Sequence, residues 1–223
     1  QEWKEQYLTI LDNAQAHNLN TIIFQIRPCN DAFYPSKYNP WSEYLCAYGK
    51  DPGWDPLEWM LEVTHERGME YHAWMNPYRV TTSAVEKIVK NTGGSVENVY
   101  DYDNEALQAA KQKVFGDRKS KALANGMKDV DNPVFYEGED LEYNVVLGTE
   151  AKYVLNPASE NTITHLENTI REVVENYDID GIHFDDYFYP NDCSYISTGT
   201  NDAFKGLTFS TESITDYADY QKY

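Results

Sequence analysis

"DGIHFDDYFYP", residues 180–190, joins a strand-like run to two adjacent carboxylates, with three aromatic residues close behind. A strand that only fills a core has no use for charge there, because an unpaired buried carboxylate is costly. Successive side chains on a strand alternate between faces, so His183, Asp185 and Tyr187 share one face, while Ile182, Phe184 and Phe188 share the other. Asp186 interrupts the apolar set. On a regular strand only one member of the aspartate pair faces a given site.

Two earlier runs have the same character. "TIIFQIRP" (21–28) and "MEYHAWMN" (69–76) are short, rich in β-branched and aromatic residues, and end in polar groups. Helical patterns separate them. In "WKEQYLTILDNAQAHNLN" the residues Trp3, Tyr7, Ile10, Leu11 and Ala14 fall on one helical face. Asp55 has the signature of an N-cap, with Pro56 at the first helical position and Glu58 two residues later. Leu57, Met60, Leu61 and Thr64 line that helix, and Gly68 ends it. A third helix before the last strand carries Ile163, Leu166, Ile170, Val173, Val174 and Tyr177 on one face. Residues 81–150 read as a polar insertion with alanine-rich helical pieces and no strong strand.

Strand, helix, strand, helix, strand is the pattern of a parallel sheet, in an eight-fold barrel or an open doubly wound sheet. Both architectures place their chemistry at the carboxyl ends of strands. Alternation assigns Gln25 and Arg27 to one polar face and His72, Trp74 and Asn76 to another. Arg27, Asn76 and Asp185 are therefore expected to converge in a polar pocket, with His72 and His183 deeper on the same faces as orienting partners. Asp186 is expected to support Asp185 or to touch the substrate.

The balance of 37 acidic against 18 basic residues, a net charge of −19, repels polyanions. Nucleic acid and anionic membrane surfaces are thereby disfavoured as partners. The 19 Tyr, 5 Trp and 8 Phe suit a neutral, hydroxyl-rich partner, since sugar C–H faces stack on aromatic rings, and they suit an ordinary core equally. Cys29, Cys46 and Cys193 have no zinc spacing; a disulfide between two of them is open. No apolar run approaches the ~18 residues of a membrane span. No leader pattern opens the sequence, which fits a cytoplasmic chain or a mature exported one.

No GxSxG, P-loop or GxGxxG motif is present, which removes most support for serine hydrolysis, nucleotide hydrolysis and dinucleotide redox chemistry. His72, His183, Asp185 and Asp186 are acceptable metal-ligand types, and adjacent aspartates after a strand also occur in metal-dependent polysaccharide deacetylases. Those enzymes add a closely spaced histidine pair on a helix, whereas His65 and His72 are seven residues apart on different elements. No metal or other cofactor is expected.

Together, "NTIIFQIRP", "DAFYPSKYNPWSEYL", "DPLEWMLEVTHERGMEYHAWMNPYRV" and "YDIDGIHFDDYFYP" closely resemble glycosyl-hydrolase-like family 10, a bacterial family of TIM-barrel glycosidases. The match covers most of residues 4–80 and 151–190. The resemblance implies a single (β/α)₈-type barrel domain over 1–223, incomplete in its first strand and its C-terminal strands, with an insertion at about 81–150. It implies an active site drawn from Arg27, Asp31, Asn76, Tyr78, Arg79, His183, Asp185, Asp186 and Tyr187. Asp185, with Asp186, is expected to be catalytic. The others, with Trp74, are expected to bind an oligo- or polysaccharide, a bacterial cell-wall glycan being one candidate. Arg27 and Arg79 would balance the charge of Asp185, and the second carboxyl group is expected from a barrel strand outside this sequence, with Asp31 or Asp186 as the alternatives. The family's envelope and secreted members imply a periplasmic, surface-anchored or secreted location. A glycan-binding barrel without chemistry and a metal-dependent deacetylase are the alternatives.

Overall fold

The computed structural model describes residues 2–91, 105–128, 131–147 and 152–185. The chain opens with helix α1, Glu2–Ala16, which leads into strand β1, Thr21–Arg27. Helix α2, Pro56–His65, follows a long loop and precedes strand β2, Glu70–Met75. Both ends of α2 form as the sequence suggests. The Asp55 side chain accepts from the Leu57 and Glu58 N–H groups, which have no partner inside the helix. Gly68 takes up a φ of +68°, a left-handed conformation that needs the missing Cβ.

Between residues 81 and 150 lie α3, Val85–Asn91, α4, Glu105–Ala124, α5, Gly138–Asn144, and strand β3, Val145–Leu147. Strand β4, Tyr153–Leu155, pairs antiparallel with β3. Region 81–150 reads in sequence as lacking a strong strand, in keeping with so short a β3. Its strand is only three residues long, too short for alternation to register. Helix α6, Glu160–Asn176, then leads to strand β5, Gly181–Phe184.

Strands β1, β2 and β5 form a parallel sheet in the order β1-β2-β5. The fold is therefore mixed α/β around a parallel sheet. One face of that sheet is apolar: Ile22 and Ile26 from β1 and Tyr71, Ala73 and Met75 from β2 are buried against Tyr7 and Leu11 of α1 and Leu57 and Met60 of α2. Each isoleucine, leucine or methionine in this layer contributes about 1.5–3 kcal/mol on full burial, so the layer fixes which face of the sheet is covered. The opposite face is open. Ile23 is 50% exposed there, and His72, Trp74 and His183 project from the same side. A second apolar cluster packs α3, α4, α5, β3 and β4 together, with Val85, Phe115, Leu141, Val145 and Leu155 at its centre.

Two helix faces differ from the sequence expectation. Ile10 is 49% exposed and lies off the buried face of α1. In α6 the buried face is rotated to Thr162, His165, Leu166, Thr169, Glu172 and Val173, leaving Val174 55% exposed. The cause is polar. Glu172 accepts from the Ser36 hydroxyl at 2.6 Å and the Lys37 N–H at 2.7 Å, while Thr169 meets Asn39 Nδ2 at 3.0 Å. Satisfied buried hydrogen bonds outweigh an apolar stripe in setting the helix rotation.

Candidate active site at the strand ends

The carboxyl end of β1 carries a bulge. Gln25 pairs with Trp74, but the next partner of β2, Met75, pairs with Arg27, so Ile26 is the extra residue. An inserted residue reverses the alternation beyond it. Gln25 and Arg27 therefore do not share a face, contrary to the strict alternation expected from the sequence.

Arg27 is wholly buried. Nη1 donates to the Asn76 carbonyl at 2.7 Å and the Pro77 carbonyl at 3.0 Å, and Nε donates to Asn39 Oδ1 at 3.1 Å. Nη2 bonds Asn30 Oδ1 and lies 3.2 Å from His165 Nε2. Burial depresses the guanidinium pKa, and Tyr34, Asp31 and Cys29 nearby act in the opposite direction. His165 is held neutral: burial first, then the adjacent Arg27 charge, lowers its pKa to about 3. With every guanidinium nitrogen engaged inside the protein, Arg27 is a positioning residue for the segment that carries Asn76. Arg27 is expected from the sequence to contact substrate, whereas here its nitrogens are turned to acceptors within the protein.

Gln25 takes the place intended for Arg27. Its amide donates to Asn76 Oδ1, and Asn76 Nδ2 donates to Asp185 Oδ1 at 2.7 Å. One side chain from each parallel strand end thus forms a continuous row, Gln25–Asn76–Asp185. Register explains the row. Trp74 pairs with His183 and Met75 with Phe184, so the next positions, Asn76 and Asp185, stand side by side. Asn76 is fully buried while Asp185, like Gln25, is half-buried, so the carboxylate is partly accessible.

Beneath the row, Trp74 and His183 pack edge to face with centroids 6.2 Å apart. His72 lies over Gly181, where an added Cβ would come within 3.1 Å of the imidazole. Both histidines therefore pack on the open face, and His72 Nε2 is 3.6 Å from Glu70 Oε2. Among the described residues no three His, Cys, Asp or Glu side chains converge on a metal-sized point.

A cleft of about 390 Å³ opens beside Gln25 and Trp74, bounded by Ile23, Cys29, Tyr44 and Arg79. The Trp74 indole N–H has no hydrogen-bond partner among the described residues. Arg79 reaches this cleft, and its backbone bridges to Val154. Tyr78 packs on the second apolar cluster, and its carbonyl accepts from the Leu155 N–H at 2.7 Å. Asp31 is enclosed: Oδ1 accepts from the Cys29 N–H at 2.8 Å, and burial raises its pKa against the opposing pull of Ser42, Cys29 N–H, Arg118 and Arg27. It supports the loop after β1 and is not part of the hydrogen-bonded row. The Cys29 thiol is buried with its pKa pushed up to about 11, chiefly by desolvation, so it is no thiolate nucleophile.

The strand ends thus unite Asn76 and Asp185 directly, with Trp74 and His183 beneath them and Arg79 on the cleft beside Gln25 and Trp74. Arg27 and Asp31 lie inside the protein. Asp186 and Tyr187, like Cys193, fall outside the described residues. Reasoning from the sequence missed Gln25 as a member of the row, and Asn30 and His165 as partners of Arg27. The surplus polar residue at the end of an apolar strand was the available signal for Gln25.

A family model described as Glycosyl hydrolase-like 10 matches residues 1–117 and 118–219. The glycosyl hydrolase YngK of Bacillus subtilis is 35% identical over 190 residues, covering 85% of this chain and 29% of that protein. The glycosyl hydrolase DigH of Escherichia coli is 31% identical over 180 residues, covering 80% of this chain and 33% of that protein. The chain therefore spans no more than 33% of the length of these curated relatives. Among solved structures, the cycloalternan-forming enzyme of Listeria monocytogenes in complex with a pentasaccharide substrate is similar over 81% of this chain and 15% of its own, at 12% identity and a TM-score of 0.38.

Proposed function

Because the chain belongs to the glycosyl hydrolase-like 10 family, we propose that it forms part of a (β/α)₈ barrel that hydrolyses glycosidic bonds in a bacterial envelope polysaccharide, with Asp185 as the essential carboxylate. The observation that carries this reading is the 2.7 Å bond from Asn76 to Asp185, which holds a half-buried carboxylate at the ends of parallel strands. Three neighbouring parallel strands with helices on one face and polar tips at one end fit consecutive staves of such a barrel.

Glycoside cleavage typically needs two carboxyl groups, ~5–5.5 Å apart for retention or ~6.5–9.5 Å for inversion. Asp185 acts as nucleophile or acid/base, and Asp186 or a further carboxyl group completes the pair. Asn76 fixes one oxygen of Asp185 and leaves the other to face the glycosidic bond. Trp74 offers a ring face to a sugar, and Arg79, Tyr78, His183 and Tyr187 hold its hydroxyl or anionic groups. The family's setting supports action outside the cytoplasm, in the periplasm, on the surface or after secretion.

One observation favours a second reading, glycan binding without cleavage: the strand-end row contains a single carboxylate among the described residues. Incubating the full-length protein with purified cell-wall glycan and measuring new reducing ends separates the two. Hydrolysis predicts their steady release. Binding without release, by contrast, supports a lectin-like barrel.

A further inference from the structure

Beyond the strand-end cleft lies a second pocket of about 190 Å³, which shares Cys29, Tyr44 and Thr82 with it as common boundary. Its far wall comes from α4, whose Val114 and Arg118 stand across from Glu43 of the β1 loop. We propose that this pocket is a distal sugar subsite, so that the substrate is held over several rings running from Trp74 across Tyr44 to the Glu43–Arg118 pair. The inference rests on the glycan reading above and deepens it by giving α4 a role.

Three features of the pocket suit a sugar ring. Tyr44 is 55% exposed at the junction of the two pockets, and an aromatic ring gains from being covered. It stands where one ring would give way to the next. Arg118 Nη2 and Glu43 Oε1 lie 3.7 Å apart, a loose pair that places donors beside an acceptor and leaves hydrogen-bonding capacity on both. Vicinal hydroxyls of a pyranose need such a donor–acceptor edge.

The third feature is the support behind Arg118. Its guanidinium sits 4.8 Å from the ring centroid of buried Tyr48, and Nη1 donates to the Val80 carbonyl at 3.3 Å. The head group is thereby pre-oriented toward the pocket, which lowers the entropic cost of engaging a ligand. Charges of opposite sign balance across the pocket, so it favours a neutral hydroxylated ring over a polyanion.

The test uses the full-length protein carrying Asp185→Asn to stop turnover, with a disaccharide and a hexasaccharide prepared from cell-wall glycan as probes, measured by calorimetry. The hexasaccharide should bind about tenfold more tightly than the disaccharide, the gain expected from one well-placed aromatic contact with its hydrogen bonds. Adding Tyr44→Ala or Glu43→Ala, both at exposed positions, should remove most of that advantage. Equal affinities for the two lengths, or an advantage unaffected by both substitutions, would overturn the subsite. Hydrolysis by the parent protein reads the functional proposal separately. A length advantage that depends on Tyr44, without any cleavage, leaves the subsite standing and removes the hydrolase. Cleavage without a length advantage does the reverse.

Discussion

The Nδ2 of Asn76 donates to Asp185 Oδ1 at 2.7 Å, joining two parallel strand ends that are 109 residues apart in the chain. That bond makes Asn76 the hinge of the site, because its Oδ1 is simultaneously engaged by Gln25. Removing the amide should free the Asp185 carboxylate to rotate. A hydrogen bond to a charged group is worth about 1.5–3 kcal/mol, so Asn76→Ala should lower kcat about 10–100-fold if the loss is felt in the transition state. Steady-state kinetics with far-UV circular dichroism on the same samples separates this from unfolding.

Arg27 should behave as a structural residue despite its place at a strand end. Arg27→Lys keeps the charge but offers one ammonium where Nε, Nη1 and Nη2 now serve separate acceptors. Leaving the Pro77 carbonyl, Asn39 and Asn30 under-bonded should cost about 3 kcal/mol or more in chemical denaturation. Fold stability close to that of the parent would show that the guanidinium is free for substrate after all.

His165 gives the fold a defined acid sensitivity. Its folded pKa, lowered to about 3 by burial and by Arg27, lies below the ordinary value of about 6.5 for an unfolded chain. Between those values the unfolded state binds a proton that the folded state refuses. The stabilising contribution is therefore complete above about pH 6.5 and is lost as pH falls toward 3, with a limiting slope of about 1.4 kcal/mol per pH unit. Urea midpoints measured from pH 7 to pH 4 should fall more steeply for the parent than for His165→Gln. Parallel curves would place the ring in solvent contact.

What could be read from the sequence, and what could not, follows from which forces act locally. Helix α2 was legible because its cap, its first-turn proline and its terminal glycine are contiguous in the chain. The three parallel strands were legible as apolar runs ending in polar residues. The phase of Arg27 was not, since a one-residue bulge after Gln25 leaves no mark in composition yet reverses every side chain beyond it. The rotation of α6 was hidden for a related reason. Its buried Thr169 and Glu172 satisfy Asn39, Ser36 and Lys37, which lie more than 100 residues away in sequence. Asp185 was found by its oddity, a charge at the end of an apolar strand, but its bond to Asn76 needed the register of β2 against β5.

The central claim is that the Asp185 carboxylate performs the chemistry, and one comparison tests it most directly. Rates of glycosidic bond cleavage are measured for the full-length protein and for Asp185→Asn, which preserves the shape of the group and its contact with Asn76. For Asp185→Asn, kcat should fall about 10²–10⁴-fold with the fold intact and glycan binding retained. Turnover by Asp185→Asn at the rate of the parent would contradict it.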